Sequence, residues 1–346
     1  MAACGQAKDS EVRIQASESR IPAAESKPAA SAAASAAAKP VPSGTLLIPF
    51  SQPSSAFSPA WMAQDLGLFK KYGLTTDVRN LPPPTDLQAA VSGEGPIVVD
   101  GANGINAVAS GAAVTYIAVP LPTFTQSIFA VAGIKSVQEL AGKNVGVTSR
   151  GQSSDNAIRT ILAKENVDAA KVNFVYLRDD STILASLING SVQAAILTSP
   201  NTLRARQAGL SEILYLGNLK LRTINNGIVA NRAWLQQHPD QAEAFLKAYL
   251  EAIKIARTDA ATTKAAITKW TRLDDPAMLE ETYKTSPPLL QPYPLVQDPD
   301  VQNVIDLSIE PSVKGHKPAD FYDNSHLLKL QGFVKTLYPE GLPSVG

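Results

Sequence analysis

The sequence predicts an α/β protein built from two sheets that helices cover on both faces. Short apolar runs alternate with amphipathic segments from residue 45 to about residue 208, which is the pattern of parallel strands joined through helices. This alternation occurs twice, so we expect two α/β units. With 346 residues and a hydrophobic fraction of 45%, the chain can bury one large core or two medium ones.

The first α/β unit opens with the buried run TLLIPF. A Ser- and Pro-rich loop follows at residues 51–59, and the next segment, AWMAQDLGLF, has the apolar spacing of a helix. Later strands are short apolar or β-branched runs that end at polar or glycine-containing turns. The unit is predicted to contain strands at residues 45–50, 75–79, 97–100 and 114–119, and helices at residues 60–69, 85–92 and 104–110.

The second unit repeats this rhythm. Beyond residue 231 we expect helices alone, and Pro239 suits the first turn of a long amphipathic helix that runs to about residue 258. The second unit is predicted to contain strands at residues 129–132, 145–147, 172–177 and 194–197, and helices at residues 136–140, 154–165, 181–189 and 201–208.

The segment GKNVGVTSRGQSSDNAI, at residues 142–158, has the layout of a small-ligand site. A short strand runs into a Gly/Ser/Thr turn, and Ser154 or Asp155 can cap the helix that follows. Free backbone N–H groups at a helix start favour an anionic or acceptor-rich group. One such turn also fits an ordinary connection that binds nothing, but similar polar turns follow several other predicted strands.

The charge balance and the absence of catalytic motifs argue against several function classes. The chain has 31 basic and 31 acidic residues, so nothing favours nucleic acid as a partner. No apolar run reaches the length of about 18 residues that a membrane span needs. The three histidines, His238, His316 and His326, lie in the last third, and the sequence has no GxSxG, HExxH or Walker motif. We therefore predict no catalytic residue, metal or cofactor.

The single cysteine is Cys4, in the segment MAACG. Small residues before a cysteine resemble the end of a bacterial lipoprotein signal, so we predict a lipid anchor on Cys4. The apolar segment that precedes such a cysteine is missing, which implies a trimmed sequence or a misassigned start; an incidental thiol is the alternative. Residues 1–43 are rich in Ala, Ser and Pro and almost lack large apolar side chains, which predicts a disordered tether.

Several ordered motifs resemble one family. They are AWMAQDLGLFKKYGL at residues 60–74, Gly111 with Ala112, IKSVQELAGKNVGV at residues 134–147, and LINGSVQA at residues 187–194. Nearly the whole body resembles the periplasmic substrate-binding proteins of ABC importers for nitrate, sulfonates, taurine and thiamine-pyrimidine precursors. The chain departs from the family pattern in having Gln193 where the family usually has Asp, and Gly-Glu-Gly-Pro at residues 93–96 in place of Gly-Ile/Val-Asp.

The resemblance implies a two-lobed α/β fold of the type II periplasmic binding proteins, with two parallel-rich sheets and a two-segment hinge. It places the first lobe at residues 44–122, the second at residues 123–221, and a return to the first lobe with C-terminal helices at residues 222–346. The crossovers are expected near residues 122–126 and 221–226. It also implies a monomer in the periplasm or at the cell surface, which closes on a small molecule and docks on an ABC permease.

The candidate ligand residues follow the ends of predicted strands, where open α/β sheets bind ligands. In the first lobe they are Ser51, Gln52, Ser54, Ser55, Phe57, Pro83, Thr85, Asp100, Ala102 and Asn103. In the second lobe they are Thr148, Arg150, Gln152, Ser153, Ser154, Arg178, Asp179, Thr198 and Asn201, and the hinge adds Phe124 and Asn226.

Two charged candidates favour different ligands. Arg150, if it points inward, suits a carboxylate or sulfonate. Asp100 instead favours a ligand with hydrogen-bond donors, such as an aminopyrimidine or another planar vitamin-like heterocycle. Both classes stay open at this point, whereas nitrate is disfavoured because Phe57, Pro83 and Phe124 suggest a larger and less polar pocket. Phe57 also fits a core position.

Two other functions remain as alternatives. The same superfamily contains enzymes of thiamine-pyrimidine synthesis, but that branch is associated with a Cys-rich segment and a pocket histidine, which this sequence does not match. A ligand-sensing domain that signals to a partner would use the same pocket. The solute-binding component of an importer is the function that the sequence favours.

Overall fold

Ten strands form two separate five-stranded sheets in the computed structural model, which describes residues 44–344 apart from residues 152 and 178. The strands are β1 (Leu46–Phe50), β2 (Thr76–Asn80), β3 (Ile97–Asp100), β4 (Val114–Thr123), β5 (Ser127–Ala130), β6 (Asn144–Val147), β7 (Asn173–Tyr176), β8 (Ala194–Leu197), β9 (Ser211–Tyr215) and β10 (Arg222–Asn231).

The two sheets have the same plan. The first has the order β2-β1-β3-β10-β4 and the second the order β7-β6-β8-β5-β9. In each, the first three strands are parallel and the remaining pairings are antiparallel. The chain passes from the first sheet to the second through residues 124–126 and returns through residues 216–221. The predicted α/β class is confirmed, with sheets that are mixed rather than purely parallel.

Helices cover both faces of each sheet. They are α1 (Ser58–Asp65), α2 (Leu68–Lys71), α3 (Thr85–Ser92), α4 (Asn103–Ala109), α5 (Ser153–Lys164), α6 (Asp180–Ile188), α7 (Asn201–Gln207), α8 (Arg232–Gln237), α9 (Pro239–Thr258), α10 (Ala260–Thr271), α11 (Pro276–Thr285), α12 (Asp298–Leu307), α13 (Ser325–Lys329) and α14 (Gln331–Leu337). Within the described ranges, no helix combines the length and the apolar character that a membrane crossing needs.

Each sheet separates two apolar clusters. In the first sheet, β1 packs against α1 and α9 on one face, where Trp61 is fully buried and stacks on Trp270 with the ring centroids 5.8 Å apart. The opposite face packs against α4 and α12. The second sheet has α5 on one face and α6 with α7 on the other. We call each sheet with its helices a lobe.

Two strands were not predicted. β9 and β10 follow the last helix predicted for the second unit, where the sequence analysis predicted only a crossover near residues 221–226, and residues 222–226 are strand rather than connection. β10 contains Asn225, Asn226 and Gly227, which are poor strand formers, and its strand state depends on pairing with β3 and β4 on either side. The connecting segments lie at the carboxyl ends of β1, β3, β6 and β8.

Candidate functional site

The loop between β6 and α5 is held in shape by its own side chains. The Ser154 hydroxyl accepts a hydrogen bond of 2.9 Å from the Thr148 backbone N–H and shares another of 2.7 Å with the Thr148 hydroxyl. The Asp155 carboxylate accepts a hydrogen bond of 2.9 Å from the Gly151 N–H. It also forms an ion pair with Arg159, which donates a hydrogen bond of 3.0 Å to it. Helix α5 begins at Ser153, so Ser154 and Asp155 lie inside its first turn rather than at the predicted cap position, and both side chains hold the loop.

The turn after β8 is also fixed from within the second lobe. One carboxylate oxygen of Asp180 accepts hydrogen bonds from the Thr198 backbone N–H, at 3.1 Å, and from its hydroxyl. Burial raises the pKa of Asp180, and these two bonds lower it in part. Asn201 is buried at the start of α7, where its side-chain oxygen accepts a hydrogen bond of 2.9 Å from Arg204.

The edge of the first lobe contains two buried carboxylates without full partners. Asp100, at the end of β3, is 1% exposed and accepts a hydrogen bond of 3.1 Å from Asn103, yet its Oδ2 has no partner among the described residues. Asp86, in the first turn of α3, is fully buried, and neither carboxylate oxygen accepts a well-formed hydrogen bond in the part of the chain described. Two buried acids therefore lie close together here.

Their surroundings disfavour negative charge. Burial raises the pKa of Asp100, whereas hydrogen bonds from the Gly101 backbone, Ser51 and Asn103 lower it in part. Burial first, and the nearby Asp100 carboxyl second, raise the pKa of Asp86 to about 7. Tyr116 packs beside the pair and donates a hydrogen bond of 2.7 Å to the Gly101 carbonyl.

Three residues that the sequence analysis did not select connect the lobes at their junction. The Gln126 side-chain amide donates a hydrogen bond of 2.7 Å to the Ser153 hydroxyl and another of 3.2 Å to the Asn225 side-chain oxygen. The Asn225 side-chain amide donates a hydrogen bond of 3.1 Å to the Thr125 hydroxyl. Gln126 and Asn225 fall within the predicted crossovers at residues 122–126 and 221–226. Their position there is the sequence signal that could have identified them as residues that connect the lobes. The junction joins the connecting segment at residues 124–126 to β10 at Asn225 and to the first turn of α5 at Ser153.

The loop of the second lobe contacts the first lobe directly. A Cβ added to Gly151 would lie 3.4 Å from the Asn106 amide nitrogen on α4. Arg150 points outward, with 64% of its side chain exposed, and pairs with Glu310 of the first lobe at 3.7 Å. Helix α5 also packs against α12. The two lobes are therefore in contact along this flank.

The predicted site residues fall into three groups. Gln152, Arg178 and Cys4 lie outside the described residues. The candidates with exposed or partly exposed side chains at the strand ends are Gln52, Ser54, Pro83, Thr85, Asn103, Thr148, Arg150, Ser153, Asp179 and Thr198. The buried candidates are Ser51, Ser55, Phe57, Asp100, Ala102, Phe124, Ser154, Asn201 and Asn226.

Three of the buried candidates lie in the lobe cores. Phe57 and Phe124 belong to the apolar clusters of the first and second lobes. Asn226 is fully buried and donates a hydrogen bond of 2.8 Å to the Ala56 carbonyl. The structure thus gives Phe57, Phe124 and Asn226 packing roles and does not bring them to the surface between the lobes.

A cavity of about 710 Å³ opens between the lobes beside the junction. Thr125, Ser127 and Tyr215 line it on the hinge side, α7 and β9 on the second-lobe side, and α11 on the first-lobe side. None of the predicted ligand residues lines this cavity, which lies next to the predicted cleft. No cluster of three or more metal-ligating side chains was found within residues 44–344, residues 152 and 178 excepted.

Comparison with known proteins assigns the family. The family described as NMT1/THI5-like matches residues 54–261. The chain belongs to this family. A protein of Brucella abortus (strain 2308) that carries the provisional name of binding protein is 25% identical over 195 residues, or 55% of this chain and 60% of the relative. The chain therefore matches about 60% of the length of the curated relatives.

Solved structures share the fold. The periplasmic aliphatic sulphonate-binding protein of Escherichia coli aligns with a TM-score of 0.65 at 20% identity, over 77% of this chain and 86% of its own. The periplasmic nitrate-binding protein of Synechocystis PCC 6803 aligns with a TM-score of 0.67 at 14% identity, over 87% and 91%. These alignments confirm the predicted two-lobed fold.

Proposed function

We propose that the protein is the extracytoplasmic solute-binding component of an ABC importer. Two lobes connected by two chain segments can open and close about the junction, and a small molecule that contacts both strand edges would favour the closed form. The observation that carries the proposal is the convergence of strand-end loops from both lobes on the Gln126, Ser153 and Asn225 network. The NMT1/THI5-like family supports the same function.

We propose that the solute carries hydrogen-bond donors, as an aminopyrimidine or a similar planar heterocycle does. Oδ2 of Asp100 accepts no well-formed hydrogen bond from the described residues, and a donor on the solute would complete the hydrogen bonding that Asn103 begins at Oδ1. Arg150, the cation that would favour an anion, points to solvent and pairs with Glu310. Sulfonates and carboxylates, the other class that the sequence left open, therefore have weaker support.

A thermal-shift screen of the full chain tests both proposals. A solute that binds only the folded state at 100 times its Kd adds about 2.7 kcal/mol of stability, which raises the melting temperature by several degrees. We expect aminopyrimidines to give the largest shift, with alkanesulfonates, aromatic carboxylates and nitrate as comparison sets. A shift with sulfonates alone would overturn the ligand class. No shift with any class would contradict the binding function.

Three further assignments are proposals of the same kind. A monomer suits a protein that must dock on a permease. A lipid on Cys4 would keep it at the outer face of a membrane, and residues 1–43 would act as the tether. Mass spectrometry of the protein purified from membranes would detect the lipid as added mass at Cys4, and Cys4→Ala should release the protein into the soluble fraction.

A further inference from the structure

Helix α11 is built into the first lobe. It packs against α10, which in turn packs against α1. Glu280 pairs with Lys264 of α10 and, at 3.0 Å, with Lys284 one turn further along α11 itself. These contacts attach one side of α11 to the first lobe.

The next two residues of α11 contact the second lobe. Glu281 Oε1 accepts hydrogen bonds of 2.9 Å from the Thr202 hydroxyl and 2.7 Å from Arg206 Nη1. The hydroxyls of Thr282 and Ser199 share a hydrogen bond of 3.0 Å. We call these five residues the clasp. Adjacent positions of one helix therefore face different lobes, Glu280 the first and Glu281 the second.

The clasp attaches at the turn that leads from β8 into α7. Ser199 lies between Thr198 and Asn201, which are both candidate ligand residues. The cavity of about 710 Å³ separates the clasp from the junction, and both Glu281 and Arg206 line it. The Arg206 side chain is 41% exposed and that of Glu281 is 22% exposed. Because these ion-paired groups reach water, their contact is weak enough to break and reform.

We propose that the clasp holds the two lobes together and thereby sets how tightly the solute is bound. This rests on the proposed function, since closure matters only if a solute binds between the lobes. Solvent-exposed ion pairs are worth up to about 1 kcal/mol, or roughly fivefold in an equilibrium. Apparent affinity scales with the fraction of molecules in the competent state, so loss of the clasp weakens binding by a similar factor.

The test compares Glu281→Ala with Glu280→Ala. The two variants remove the same side chain from neighbouring positions of one helix, but only Glu281 reaches the second lobe. Spin labels at Val91→Cys on α3 and Ile188→Cys on α6, in a Cys4→Ala background, report the distance between lobes; both positions are exposed. Without any added solute, we expect Glu281→Ala to raise the ratio of open to closed molecules by up to about fivefold and Glu280→Ala to leave the distribution unchanged.

A second variant protects the test against a folding defect. Thr282→Val with Ser199→Ala removes the hydroxyl contact without changing charge, and we expect it to raise the open population about two- to threefold. Raising the salt concentration should open the parent protein more than it opens Glu281→Ala, which, among the described residues, keeps only the Arg150–Glu310 ion pair between the lobes. Distributions that are identical for the parent and all variants would overturn the clasp. Because this readout needs no solute, a failed solute screen with a responsive clasp would count against the importer function alone.

Discussion

The strand edges of the two lobes differ in how their acidic side chains are hydrogen-bonded. In the second lobe, Asp155 and Asp180 each accept hydrogen bonds from the loops that they support. In the first lobe, Asp86 and Asp100 keep oxygens without a partner among the described residues. Completed networks fix local geometry, whereas an incomplete one has a free-energy cost that a proton or a donor can relieve. The strand edge of the second lobe is thus preformed. The strand edge of the first lobe can still gain stability from a proton or from a hydrogen-bond donor.

Breaking the completed edge should have the largest effect. Asp155→Ala leaves Arg159 without its buried partner and frees the Gly151 N–H, so we expect a loss of about 3 kcal/mol in the free energy of unfolding, measured by urea denaturation. Asp179→Ala is the matched control, because Asp179 is an exposed cap of α6 and its loss should cost only about 1 kcal/mol. Equal losses for the two variants would show that the buried network adds nothing.

Neutralising an acid of the incomplete edge should stabilise the protein at alkaline pH. The pKa of Asp86, about 7 in the folded state, lies above its unfolded value near 4. The folded state therefore holds the extra proton between these values, and that stabilising contribution is lost as the pH rises through about 7. We expect Asp86→Asn to match the parent at pH 3, to exceed it by about 1 kcal/mol at pH 5 and by about 4 kcal/mol at pH 8.

The comparison of urea unfolding at several pH values checks this expectation. Asp274→Asn, at an exposed position, is the control and should keep the parent's pH dependence. If Asp86→Asn follows the parent at every pH, folding does not raise the pKa of the Asp86 carboxyl, and the contrast between the two edges disappears.

Removing the outward-pointing arginine should have the smallest effect. Because Arg150 pairs with Glu310 at 3.7 Å and is mostly exposed, Arg150→Ala should change stability by less than about 0.5 kcal/mol and the affinity for a heterocycle by less than about twofold. Calorimetric titration of both proteins provides the measurement. A tenfold loss of affinity for an anion would instead mean that Arg150 turns inward when solute binds.

Local sequence patterns predicted the elements whose strand or helix character is intrinsic. The runs that became β1, β3, β6 and β8 are apolar, and α5 and α9 have clear helical spacing. By contrast, β10 contains two asparagines and a glycine, and its pairing partners are about 100 or more residues away in sequence. No local pattern could show that this segment completes the first sheet.

The site was less predictable than the fold for the same reason. The positions of Ser153, Thr148 and Thr198 follow from the rule that ligand loops lie at strand ends. The hydrogen bond between Gln126 and Asn225 joins residues 99 apart in sequence, and it depends on how the two crossovers lie side by side. Burial of Phe57, Phe124 and Asn226 depends on packing across whole lobes, which residue type alone does not reveal.

Calorimetric titration of the full chain and of Asp100→Asn with an aminopyrimidine and with an alkanesulfonate of similar size tests the central claim most directly. The account predicts that the parent binds the aminopyrimidine more tightly, and that Asp100→Asn weakens this binding by about ten- to a hundredfold while leaving the sulfonate nearly unaffected. Tight sulfonate binding by both proteins, with no heat from the aminopyrimidine, would contradict it.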